Sequence, residues 1–142
     1  MAEKVLVVDD DKAFLSILSE RMRNRGMEVT TTASPVDALR IVETQSFDAI
    51  ILDLMMPEMG GIEAFQRIKE KSPELQVIFL TGHPSVSTGI DAMKLGAMDF
   101  IPKPVDLNEL IEKIKQAKVS RAILLEKQAQ AKLKKTLTDK GR

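Results

Sequence analysis

The sequence predicts a doubly wound α/β domain on a five-stranded parallel sheet, continued by an extended C-terminal helix. Five short apolar runs alternate with five segments whose apolar residues recur at helical spacing. The central runs are continuous rather than alternating, as strands covered on both faces require. Consecutive runs are separated by helix-length segments, the connection that a right-handed parallel crossover needs.

Lys4 to Val8 reads as the first, buried strand, and Asp11 to Arg25 as a helix with Ala13, Phe14, Ile17, Leu18 and Met22 at helical spacing. Gly26 stops it. Met27 to Thr32 is rich in β-branched residues and forms the second strand. Ser34-Pro35 supplies an N-cap and a first-turn proline for a helix to about Thr44. Phe47 to Leu52 is the third run; the Pro and paired Gly of MMPEMGG mark a loop before a helix through Ile62, Phe65 and Ile68, broken at Ser72-Pro73. Gln76 to Leu80 is the fourth run. Pro84 begins a helix through Ile90, Met93 and Leu95 that Gly96 ends, and Ala97 to Ile101 is a short fifth strand. Asp106 caps a final helix carrying Leu107, Leu110, Ile111, Ile114 and Ala117. No Gly or Pro follows Lys118 before Gly141, so this helix is expected to run on.

The chain divides into a body, residues 1–118, and a basic helical extension, residues 119–142. The body holds 14 Lys and Arg against 19 Asp and Glu, a net −5, and the extension 7 against 2, a net +5. The extension reads either as a solvated helix end or as a contact for a partner, with nucleic acid not favoured. Ala122, Leu125, Ala129 and Leu133 make a weak stripe, open to fraying or to pairing of two chains. No apolar run approaches the roughly 18 residues of a membrane span, and the N-terminus lacks the layout of a signal peptide. With no cysteine, disulfides and thiolate metal sites are excluded and a cytoplasmic setting is expected.

The chemistry lies where the apolar runs stop. Asp9-Asp10 closes VLVV, Asp53 closes AIIL, Thr81 closes VIFL, and Lys103 follows DFI. If these runs are neighbouring parallel strands, the carboxylates, the hydroxyl and the ammonium converge at one sheet edge. Clustered carboxylates repel unless a cation joins them, and hard oxygen donors favour Mg²⁺. Asp9, Asp10 and Asp11 could instead merely cap the first helix, but the other strand-end residues argue for a site and leave capping to Asp11. Asp53 can act as a nucleophile towards phosphorus, with a metal on one side, Lys103 on the other, and a hydrogen bond from Thr81 to a phosphoryl oxygen. Lys103 stands between two prolines in IPKPV, where the Lys-Pro bond can be cis.

VVDD, DLMMPEMGG, TGH and DFIPKP, in this order and at these separations, resemble the signature of the response-regulator receiver domain, the CheY-like phosphoacceptor module of two-component signalling. The resemblance covers residues 4 to about 118. It implies a flavodoxin-like strand order 2-1-3-4-5. It also implies that Asp53 is the phosphoacceptor and that Asp10 ligates Mg²⁺ directly, with Asp9 acting directly or through water and Met55 through its backbone carbonyl. Thr81 would bind the phosphoryl oxygen, Lys103 would pair with the phosphoryl group, and Phe100 would change rotamer with Thr81. Phe100 lacks the hydroxyl that Tyr often supplies in this family. Gly82 leaves room beside the phosphoryl group, and His83 is a plain loop residue, a modulator of hydrolysis or, least favoured, a metal ligand. Met56, Met59 and Met93 are read as core or groove packing.

The expected function is that of a phosphoprotein switch rather than an enzyme. A sensor histidine kinase or phosphotransfer protein donates the phosphoryl group. The face of the fourth helix, fifth strand and fifth helix then binds an unknown downstream protein, with a homodimer on activation. The alternative is an aspartate-nucleophile phosphatase, which normally needs a second acid two residues after the nucleophile, where this chain has Met55. A nucleotide-binding module lacks its glycine-rich fingerprint after the first strand. About 24 residues beyond the body leave no room for an output domain, so a stand-alone regulator or a piece of a larger one is expected.

Overall fold

A computed structural model describes residues 2–56, 58–82 and 91–140, without the side chains of residues 139 and 140. Pro57, His83 and the expected start of the fourth helix from Pro84 to Ile90 lie outside the described residues. The chain runs β1 (Lys4–Val8), α1 (Lys12–Asn24), β2 (Glu28–Thr32), α2 (Pro35–Thr44), β3 (Ala49–Asp53), α3 (Gly61–Lys71), β4 (Gln76–Thr81) and β5 (Asp99–Pro102). Residues 91–94 are helical and belong to the expected fourth helix, α4; the last element is α5 (Leu107–Lys140).

The strands form one parallel sheet of order β2-β1-β3-β4-β5. β3 is buried along its whole length, and β1 and β4 are buried beyond their first residue, which is why their sequences are unbroken apolar runs. The edge strands β2 and β5 are only partly covered. Alternate strand residues enter two cores. Leu6, Ile50, Leu52 and Phe79 pack with Ala38, Phe65 and Ile68 of α2 and α3 on one face. Val5, Val7, Ile51 and Ile78 pack with Leu18, Met22, Leu110 and Ile114 of α1 and α5 on the other.

Local signals start and stop the helices. Asp11 caps α1, accepting the Phe14 N–H at 3.0 Å, and Ser34 caps α2, accepting the Asp37 N–H at 3.2 Å ahead of Pro35. Gly26 follows α1 at φ +87°, a conformation that only glycine adopts without strain. Asp106 accepts the Glu109 N–H at 3.1 Å and opens α5, which continues unbroken for 34 residues. α5 keeps contact with the sheet beyond Ala117, because Arg121 lies 3.4 Å from Asp48 just ahead of β3.

Two expectations about packing are corrected. The inner face of α1 is Leu15, Leu18 and Met22, so Ala13 is exposed and Ile17 is 55% exposed; an apolar residue one position from the stripe points about 100° away from it. Among the described residues of α4, Ala92 is buried and its neighbour Met93 is 47% exposed, whereas Met56 and Met59 are in the core. Phe47 is buried but stands ahead of β3 rather than in it. Among the described residues no helix is long and apolar enough to cross a membrane.

Candidate functional site

The sheet register brings the expected residues to one edge. Val8 pairs with Leu52, Asp53 with Leu80, and Thr81 with Pro102, so the C-terminal ends of four adjacent strands stop side by side. Asp9 and Asp53 follow from the first of these pairs as neighbours. Asp9, Asp53 and Thr81 are all buried, while Asp10 is exposed at the rim.

A fully buried carboxylate must have its charge met locally. Asp9 accepts the Asp11 N–H at 2.9 Å through Oδ1 and the Lys103 ammonium at 2.6 Å through Oδ2. The same ammonium stands 4.0 Å from Asp53 Oδ2, and Asp53 Oδ1 accepts the Met55 N–H at 3.3 Å. Lys103 is placed from both ends, because its own N–H donates to the Thr81 carbonyl at 2.7 Å where β4 and β5 finish. The Lys103–Pro104 peptide is cis.

Electrostatics distinguish Asp53 from an ordinary carboxylate. Burial, then the charge of Asp9, pushes its pKa up from 3.8 to about 6; Lys103 and the Met55 N–H pull it down and Asp10 pushes slightly up. Asp9, Asp10 and Asp53 each offer a carboxylate oxygen, and these oxygens lie within 4.8 Å of one another. Three convergent hard oxygen donors with one ammonium between two of them fit a divalent cation such as Mg²⁺.

The remaining expected residues fall around this pocket. Met55 is 68% exposed, and its backbone N–H is what meets Asp53. Phe100 lies opposite Phe79 in the β4–β5 register and packs, half-buried, on the α2–α3 side. A Cβ on Gly82 would meet nothing within 4 Å, and Gly82 and Lys103 line a groove of about 480 Å³ with Phe14, Ile17 and Val105.

The sequence reading does not single out two residues that belong to the site. Phe14, placed only as part of an apolar stripe, has its ring 4.4 Å below the Lys103 ammonium. Gly61, placed only as a loop glycine, packs so closely that a Cβ there would lie 2.5 Å from the Asp53 carbonyl oxygen. Helical period cannot report the first, and only the paired glycines hinted at the second.

The profile of the response regulator receiver domain matches residues 5–115. The chain belongs to this receiver family. The receiver is 37% identical over 113 residues to the transcriptional regulatory protein ZraR of Salmonella typhimurium, covering 80% of this chain and 26% of that protein. The chain thus spans about a quarter of the length of the curated relatives it matches. Among solved structures it resembles a receiver domain protein from Clostridium thermocellum, with TM-score 0.81 and 35% identity over 87% of this chain and 99% of that one. It also resembles the beryllofluoride-activated NtrC4 receiver domain dimer, with TM-score 0.78 and 36% identity over 83% and 98% of the two chains. Its role is that of a receiver in two-component signalling.

Proposed function

We propose that this receiver takes a phosphoryl group from a phosphohistidine donor, on a sensor histidine kinase or phosphotransfer protein, onto Asp53. The observation that carries the reading is the Lys103 ammonium held between Asp9 and Asp53 at the one edge where three carboxylates converge. An Asp53 carboxylate oxygen forms a bond to phosphorus as the donor P–N bond breaks, and the departing imidazole nitrogen keeps the electron pair and takes up a proton. Lys103 meets the charge of the transferred group, and Thr81 donates its hydroxyl hydrogen to a phosphoryl oxygen. Asp9, Asp10, Asp53 and the Met55 carbonyl would hold Mg²⁺. Bound there, the ion would neutralise charge on the phosphoryl oxygens.

Acquisition of the phosphoryl group draws Thr81 inward, Phe100 follows, and the α4–β5–α5 face changes its affinity for a downstream protein or a second receiver. Residues 1–118 form the switching body and 119–142 a basic extension, in a cytoplasmic setting. Beyond assisting its own phosphorylation and dephosphorylation the chain is not an enzyme; a hydrolase reading gains nothing from an exposed Met55 where a second acid belongs.

Incubation with phosphoramidate and Mg²⁺ should add one hydroxylamine-labile phosphoryl group, detected by intact-mass spectrometry. Asp53→Asn should abolish it and Lys103→Met should slow it at least tenfold. Labelling that persists in the Asn variant would sink the assignment.

A further inference from the structure

Around the Lys103 ammonium stand Asp9 Oδ2 at 2.6 Å, Asp53 Oδ2 at 4.0 Å, and the Phe14 ring, whose centroid is 4.4 Å away. The two carboxylates are the partners that phosphorylation spends elsewhere, Asp9 on the cation and Asp53 on phosphorus. The ring is the one contact of the three that neither event consumes. An aromatic face attracts a cation through its quadrupole, more strongly where water is excluded, and the Lys103 side chain is only 22% exposed.

We infer that Phe14 is a positioning residue for Lys103, its ring holding the ammonium beside Asp53 while Asp9 turns to the cation; the inference rests on the phosphoacceptor reading of Asp53. The fold fixes the ring from the same residues that make the site. Asp9 accepts the Asp11 N–H, Asp11 accepts the Phe14 N–H at 3.0 Å, and the half-buried ring packs on the α1–α5 core. The opposite end of Lys103 is tied to the Thr81 carbonyl. A four-carbon stem pinned at its backbone and resting its head on a ring loses little freedom when the phosphoryl group arrives.

The test uses the full chain with phosphoramidate and Mg²⁺. Phe14→Leu keeps an apolar side chain without the ring face and should slow labelling of Asp53 about five- to tenfold. Phe14→Tyr keeps the ring and should retain the rate within about twofold. In a Lys103→Met background Phe14→Leu should add nothing, because the ammonium it positions is gone. By NMR, the Lys103 ε-methylene protons should lie upfield of those of other lysines in the wild type, and return to the ordinary position in Phe14→Leu. Equal slowing by Phe14→Leu with and without Lys103, or an ordinary ε-methylene shift in the wild type, overturns the role of Phe14. Absence of labelling in the wild type instead overturns the phosphoacceptor reading, and the NMR shift still decides the placement of the ammonium.

Discussion

Asp53 sits where its protonated form is favoured, and that has a consequence for the metal-free protein. Its pKa is about 6 folded against 3.8 for an ordinary aspartate, so the folded state binds the proton more tightly. Stability is then fully present below pH 3.8 and lost as pH rises through about 6. The loss is at most about 3 kcal/mol at 1.36 kcal/mol per pKa unit. In EDTA, Asp53→Asn should therefore exceed the wild type in urea-unfolding stability at pH 7.5 by about 1–3 kcal/mol and converge with it near pH 4. A gap that is the same at both pH values would show that the shift does not arise from ionisation of Asp53. At this scale Asp9, Asp10, Asp53, Thr81 and Lys103 were legible because each interrupts or follows an apolar run. Phe14 was not, because its contact with Lys103 joins two elements distant in sequence and depends on how α1 is rotated against β5.

Among the elements, the order and number of strands and described helices could be read from the chain, and their ends to within a residue or two. The misplacements have one cause. Apolar character reports burial, whereas a strand is bounded by its ladder, so buried Phe47 precedes β3 while polar Asp53 and Thr81 end β3 and β4. The start of α3 is packed directly against the end of β3. The Gly61 N–H donates to the Leu54 carbonyl at 3.0 Å, and a Cβ on Gly61 would lie 2.5 Å from the Asp53 carbonyl oxygen and 2.8 Å from the Leu54 Cα. Backbone atoms cannot step aside as a side chain can. Gly61→Ala should cost about 1–3 kcal/mol in chemical denaturation and slow Asp53 labelling, whereas Gly60→Ala, whose Cβ would meet nothing within 4 Å, should stay within about 1 kcal/mol of wild type. Equal behaviour of the two variants would contradict this packing.

The whole molecule pairs an acidic body with a basic helix. α5 is buried where Leu110, Ile114 and Ala117 meet the sheet, then leaves it past Arg121 with Ile123, Leu133 and Leu137 exposed. If the proposed pairing of receivers extends beyond the α4–β5–α5 face onto these residues, the clustered lysines oppose it at low salt. Beryllium fluoride with Mg²⁺ should raise the dimer fraction in sedimentation velocity, more so at 0.3 M than at 0.05 M salt, and Leu133→Lys should lower it. No change in sedimentation on activation would place the switch output elsewhere.

The ion pair of Arg121 with Asp48 gives the exposed part of α5 a fixed origin. From there the helix advances about 1.5 Å and turns about 100° with every residue, uninterrupted by Gly or Pro as far as Lys140. A group attached near Leu137 is therefore set in angle as well as in distance. Inserting one residue after Arg121 would swing such a group by over a quarter turn, while inserting seven would return it to within about 20° of its bearing at a greater reach.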